Sequence, residues 1–363
     1  MLRRPRPSTV ASAAAFLAAV VVMLFLPRFV SDFRAQQLAY VGIYFLALIG
    51  LNVLTGYTGQ ISLGHGAFMA IGGYTTAILV SDQQLEIAGH VFSSDMKDVW
   101  TIPIAALVSG AAGLLFGLPA LRLSGLYLAL ATFAIAVAAP AVIKRFETST
   151  GGGSGINLFG LPGLTGAIDG VEVFGHTVTF NDWLYYLSWS IALFGLAVAW
   201  LLLRGRTGRA FRAVRDSETA AASYGVNLAW YKTLAFGISA AFAGVAGSLY
   251  AIATTFVNPD TFPIALSIFL LVGVVVGGLG SLYGLLAGAV FIYFMQISWA
   301  QQLDEVVPDF LPWLGGLDTS SPGAPAVAFG VVLILIMLLL PSGAAGLVRR
   351  VASLTGRLPG RSQ

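Results

Sequence analysis

The chain has 363 residues, 57% of them hydrophobic and only 10% charged, with a net charge of +3, 43 glycines and no cysteine. So apolar a composition, laid out in long runs, excludes a soluble globular fold. The missing cysteines exclude disulfides, thiol chemistry and cysteine-held clusters. The basic excess follows a topological pattern and does not point to nucleic acid.

Ten apolar stretches follow one another near residues 9–27, 36–54, 61–80, 101–118, 124–143, 183–203, 233–257, 264–282, 284–300 and 324–340. A hydrocarbon core takes about 20 helical residues to cross, and within these limits none of the ten carries Lys, Arg, Asp or Glu. Only helices satisfy their own backbone across lipid in such a pattern. The fold class expected is therefore all-α, a polytopic membrane helix bundle of about ten spans, with residues 1–363 forming one membrane domain. The first stretch follows Arg3-Arg4 as a secretory signal would, but it ends in Leu26-Pro27-Arg28 where a cleavage site needs small residues. It reads as a retained helix.

Charge orients the bundle. With ten spans, one side holds both termini and the loops at 55–60, 119–123, 204–232 and near 283. That side collects 14 of the 19 basic residues against two acids, Asp216 and Glu218. The other side has five basic residues and 14 acids. Positive charge stays cytoplasmic, so both termini are expected inside. Residues 204–232 become the one substantial inner loop, and 144–182 the longest outer, periplasmic one.

Small residues recur four apart at Gly113 and Gly117, at Ala240, Gly244 and Ser248, at Gly273 and Gly277, and at Gly280, Gly284 and Gly288. Lipid gives helices no hydrophobic reason to associate, so close backbone approach at such positions supplies the packing. Two glycine-rich breaks differ from these seams: Gly56-Tyr57-Thr58-Gly59-Gln60-Ile61-Ser62-Leu63-Gly64-His65-Gly66 and Gly277-Gly278-Leu279-Gly280-Ser281-Leu282-Tyr283-Gly284. Interrupted hydrophobic segments at corresponding places in two halves mark transport routes, although the residue match between these two is too slight to establish a repeat.

Catalytic chemistry finds few groups here. The three lysines follow Met96, Ile143 and Tyr231, so no Gly-Lys phosphate-binding loop exists. His65, His90 and His176 lack metalloprotease spacing. No span carries paired carboxylates, which argues against an ion-coupled carrier. The candidates for lining a path are Ser62, Gly64, His65 and Gly66 at the polar start of the third span, and Thr150, Gly151, Gly152, Gly153, Ser154 and Gly155 in the outer loop. For His65 the competing reading is a neutral imidazole bonded to a neighbouring helix.

The inner loop carries the main functional signal. Residues 209–223 have a helical pattern with Gly225 as a stop, and Phe211, Val214, Glu218, Ala221 and Gly225 fall in one sector. A small-residue face with flanking arginines suits a helix that docks into a partner's groove. Contact with lipid headgroups is the alternative.

At these residues the chain resembles the longer of the two permeases of bacterial branched-chain amino acid ABC importers. The likeness rests on residues 50–68, on Arg206 to Gly225, on Asn258-Pro259-Asp260-Thr261-Phe262 and on 277–284, and with the span layout it covers about 36 to 340. It implies a multi-pass protein of the bacterial inner membrane. Its partners would be a second homologous permease, two ATP-binding subunits, a periplasmic substrate-binding protein and the surrounding lipid. ATP and Mg would be used by the partner subunits, with no cofactor and no ATPase site on this chain. Onto the family's ATPase-coupling segment fall Arg206, Gly208, Arg209, Phe211, Arg212, Val214, Arg215, Glu218, Ala220, Ala221 and Gly225. Many ABC importers place Gly six residues after Glu in this segment, whereas here Gly225 follows Glu218 by seven, so the role of Glu218 itself is open. The function implied is ATP-driven import of branched-chain or other hydrophobic amino acids. The alternatives are urea, short amides or another small solute as cargo, or a stand-alone carrier or channel. A membrane-embedded enzyme lacks its catalytic set.

Overall fold

The computed structural model describes residues 25–81, 85–87, 90–92, 96–123, 125–161, 171–173 and 176–294, with 20, 23, 330, 334, 338 and 343–346. The stretches expected at 9–27 and 324–340, both chain ends and the last part of 284–300 thus lie largely outside the described residues.

Among the described residues the main helices are α1 (Asp32–Asn52), α2 (His65–Val80), α3 (Asp98–Ala120), α4 (Leu126–Arg145), α5 (Phe180–Arg204), α6 (Arg206–Asp216), α7 (Glu218–Ser223), α8 (Leu228–Thr254), α9 (Ile264–Gly277) and α10 (Leu285–Tyr293). A π-helical turn, Val53–Tyr57, continues α1. Among the described residues six segments are long and apolar enough to cross a membrane: Asp32–Tyr57, Asp98–Ala120, Leu126–Arg145, Phe180–Arg204, Leu228–Thr254 and Pro259–Gly277. The molecule is an all-α polytopic membrane protein, its few strands being short ribbons outside the helices. The stretch 61–80 does not form one uninterrupted span. Its helix starts only at His65 and has 16 residues, because the polar residues before it are held in an irregular segment described below.

The core lies along α1 and α8. In their most apolar windows 83% and 72% of residues are buried, against 22% in α4. Helix α8 packs along α3, α2 and α1, while α1 also packs against α5, α9 and α10. The glycine seams explain how backbones come so close. A Cβ on Gly72 would stand 2.1 Å from the Gly244 carbonyl oxygen, and one on Gly247 would stand 1.9 Å from that of Met69. Gly113 faces Ala240, Gly277 faces Gly284, and Gly288 faces Gly273, so the small-residue spacing marks real crossings. Gly280 is the exception, since it sits in a turn at φ +73°. Buried hydroxyls pair across the same seams: Thr76 with Ser248 at 2.5 Å and Thr101 with Thr76 at 3.1 Å. Leaving them unpaired in lipid would cost several kcal/mol each.

Helix ends sort onto two sides. On one, the Asp32 carboxylate accepts from Asn181 at 2.6 Å and from the Thr179 hydroxyl, tying α1 to α5. Lys144 lies 3.8 Å from Asp260, and the Ile156–Asn157 strand pairs with Phe256–Val257. The opposite end carries Arg204, Arg206, Arg209, Arg212, Arg215 and Lys232.

Candidate functional site

The basic end is organised by how α6 and α7 leave α5. Gly208 lets α6 fold back on the end of α5, where a Cβ would stand 2.1 Å from the Leu203 carbonyl oxygen. Arg212 then donates to that same carbonyl at 3.3 Å, satisfying a helix C-terminus as basic side chains do. The helix does not run unbroken from 209 to 223. Ser217 is extended, at φ −164° and ψ 116°, and its hydroxyl accepts from the Ala220 amide at 3.3 Å, capping a separate α7. Gly225 ends α7 at φ +82°, with the Val226 amide bonded to the Ala221 carbonyl at 3.0 Å; this is a left-handed stop, as expected.

The break at Ser217 also corrects the face proposed from helical spacing. Phe211, Val214 and Ala221 are buried within this chain, with the Phe211 ring edge-on to Tyr231 at 6.2 Å. They form the root of the segment, not a surface for a partner. Glu218 leaves their sector and binds Lys232 at 2.6 Å. What projects outward is Ala220, Ala222, Ser223, Tyr224 and Gly225, together with Arg206, Arg209 and Arg212. Tyr224 is 90% exposed.

Between α1 and α2 the chain is irregular, and neighbours satisfy its backbone. The Leu63 amide donates to Thr132 of α4 and the Gly66 amide to Ser267 of α9, both at 2.9 Å. Ser62 is fully buried and accepts from the Gly64 amide at 3.3 Å. The buried His65 donates from Nε2 to the Ala47 carbonyl at 3.0 Å, which is the structural role weighed against a path-lining one. Gly64 and Gly66 pack tightly against Thr132 and Ser267. Thr150 to Gly155 lie elsewhere. The Thr150 hydroxyl bonds the Ile143 and Phe146 carbonyls, and Gly155 packs on Val257 and Asn258. Phe262, just beyond, meets Gly73, midway along α2. The two sets of path candidates therefore pack on different neighbours, Thr132 and Ser267 for one and Val257 and Asn258 for the other.

The two glycine-rich breaks, by contrast, meet. Asn52, fully buried at the end of α1, accepts from the Gly280 amide at 2.9 Å and donates to the Ser281 carbonyl at 3.2 Å. Arg215 of α6 donates to the Gly56 carbonyl at 2.7 Å. Beside them lies a cavity of about 140 Å³ whose lining includes Thr58, Gln60, Leu123, Val214, Glu218 and Lys232. Loops assigned by charge to one side thus converge on one place.

A basic amphipathic segment thus grips a pair of broken helices. Residues 33–341 match the family described as branched-chain amino acid transport system, permease component. The chain belongs to that family. It is 35% identical to the high-affinity branched-chain amino acid transport system permease protein LivM of Salmonella typhimurium, over 85% of this chain and 73% of the relative. The LivM of Escherichia coli K12 gives the same figures. The permease protein LivH of Escherichia coli is 24% identical over 84% of this chain and 91% of that protein. No solved structure matches the chain.

Within this permease, sequence reasoning passed over Asn52, Thr132, Ser267 and Lys232 as site residues. Asn52 had a readable signal, being a lone amide inside an apolar span, where an unsatisfied polar group is costly. Lys232 had one as well, as the only cation at the foot of α8.

Proposed function

We propose that this chain is one of two homologous permease subunits of an ATP-driven importer in the bacterial inner membrane. The complete subunit has ten spans with both termini cytoplasmic, and it passes branched-chain or other hydrophobic amino acids. Separate ATPase subunits dock on the segment 204–225 through its outward residues Arg206, Arg209, Ala222 and Tyr224, while the Arg215 guanidinium is engaged by the Gly56 carbonyl. A periplasmic binding protein delivers the cargo from the side of the 144–182 loop. The observation carrying this reading is the geometry of α6 and α7. Their apolar residues root them in the membrane body, while Tyr224, Ala222, Arg206 and Arg209 stand clear of it. An exposed aromatic flanked by small residues and cations suits an anchor in a partner's groove. Similarity to proteins named LivM and to one named LivH supports a paired permease, and the branched-chain amino acid transport in their names supports the cargo class.

Tyr224→Asp and Ala222→Arg test it, because neither position is buried in this chain. Both variants should insert normally, lose ATPase co-purification and lose uptake of labelled leucine in cells. Wild-type uptake by both with no ATPase bound would establish a stand-alone carrier. Uptake of labelled urea in preference to leucine would overturn the cargo assignment alone.

A further inference from the structure

We propose that Arg215 and Asn52 form a latch, as positioning residues that make the α6–α7 segment and the two glycine-rich breaks move as one unit during transport. This rests on the importer reading above. The π-helical turn supplies the first part. In it the Gln60 amide bonds the Leu54 carbonyl at 3.2 Å, which leaves the Gly56 carbonyl for the Arg215 guanidinium at 2.7 Å. Such π turns inside helices recur at functional sites. Asn52 supplies the second part, because its two amide bonds hold Gly280 and Ser281. The breaks are 228 residues apart along the chain at that contact. Nothing local requires them to touch.

Two further glycines lie close against the Arg215 side chain. A Cβ on Gly59 would stand 3.3 Å from the arginine Cγ, and one on Gly280 would stand 3.1 Å from its Nη1. The buried Phe211 and Val214 on the same helix make α6 carry the guanidinium as a rigid arm. The adjoining cavity of about 140 Å³ leaves room on one side of that arm, where a close-packed interior would resist displacement. A force on the exposed α7 therefore reaches Gly56 through Arg215, and Gly280 through Asn52. It displaces the inner ends of α1, α9 and α10 together.

The test uses the assembled transporter in proteoliposomes, with its second permease, ATPase subunits and binding protein. For Arg215→Ala and Asn52→Leu, ATPase subunits should co-purify as with wild type and ATP hydrolysis should continue. Substrate taken up per ATP should fall about tenfold, within the range over which coupling mutations act. Arg215→Lys, which keeps a charged donor without the planar fork, should recover most of that loss. The double variant should be no worse than the poorer single one, because the two residues act in series. Wild-type uptake per ATP in both single variants would overturn the latch, as would losses that only track the amount of inserted protein. Absence of ATPase from the wild-type assembly would overturn the importer reading itself.

Discussion

Lys232 stands one turn into α8, and it is only 7% exposed. Glu218, which lines the same cavity, answers that charge at 2.6 Å. Because Glu218 itself is about half exposed, its removal should cost about 1–3 kcal/mol, between the values for surface and buried pairs. Glu218→Ala should lower the thermal midpoint of the purified protein, and adding Lys232→Met should restore it by removing the stranded charge. An unchanged midpoint in Glu218→Ala would show that the pair carries no stability. The residue that departs from the spacing common in ABC importers thus acquires a local role that no motif could assign, because its partner lies 14 residues downstream across a turn.

At the scale of elements, local signals read well wherever the governing force is local. Gly225 was legible as a helix stop because only a left-handed residue fits there. The Ser217 cap was equally legible: a serine followed by an acidic first residue opens α7, yet helical periodicity across 209–223 masked it. Ser217→Ala should therefore destabilise α7 by about 1 kcal/mol, seen as faster amide exchange over 218–224 with little change elsewhere. Seams make a sharper prediction. Gly72→Leu puts side-chain carbon onto the Gly244 backbone and should cost more than the roughly 1–3 kcal/mol of ordinary overpacking, giving aggregated protein on size exclusion. Gly153→Ala, with no atom within 4 Å of its added carbon, should stay within about 0.5 kcal/mol of wild type.

For the whole molecule, the absence of native cysteine makes sidedness directly measurable by single cysteines. Positions 209 and 357 should be protected from an impermeant reagent applied outside, while 169 and 305 should label. Labelling of 357 from outside would overturn ten spans. The sequence by itself determined the class of molecule, the order of most membrane helices and the glycines at which helices cross. Those features follow from lipid acting on each segment separately: hydrocarbon selects apolar runs, and a backbone crossing needs a small residue at the point of contact. Only the tertiary structure decided that Phe211, Val214 and Ala221 face inward, that the buried His65 bonds the Ala47 carbonyl, and that Asn52 and Arg215 join two breaks far apart along the chain. Whether a carbonyl such as that of Gly56 is free to bind an arginine depends on which backbone bonds the π turn leaves unmade. That choice is settled by packing in three dimensions, and hydropathy along the chain does not record it.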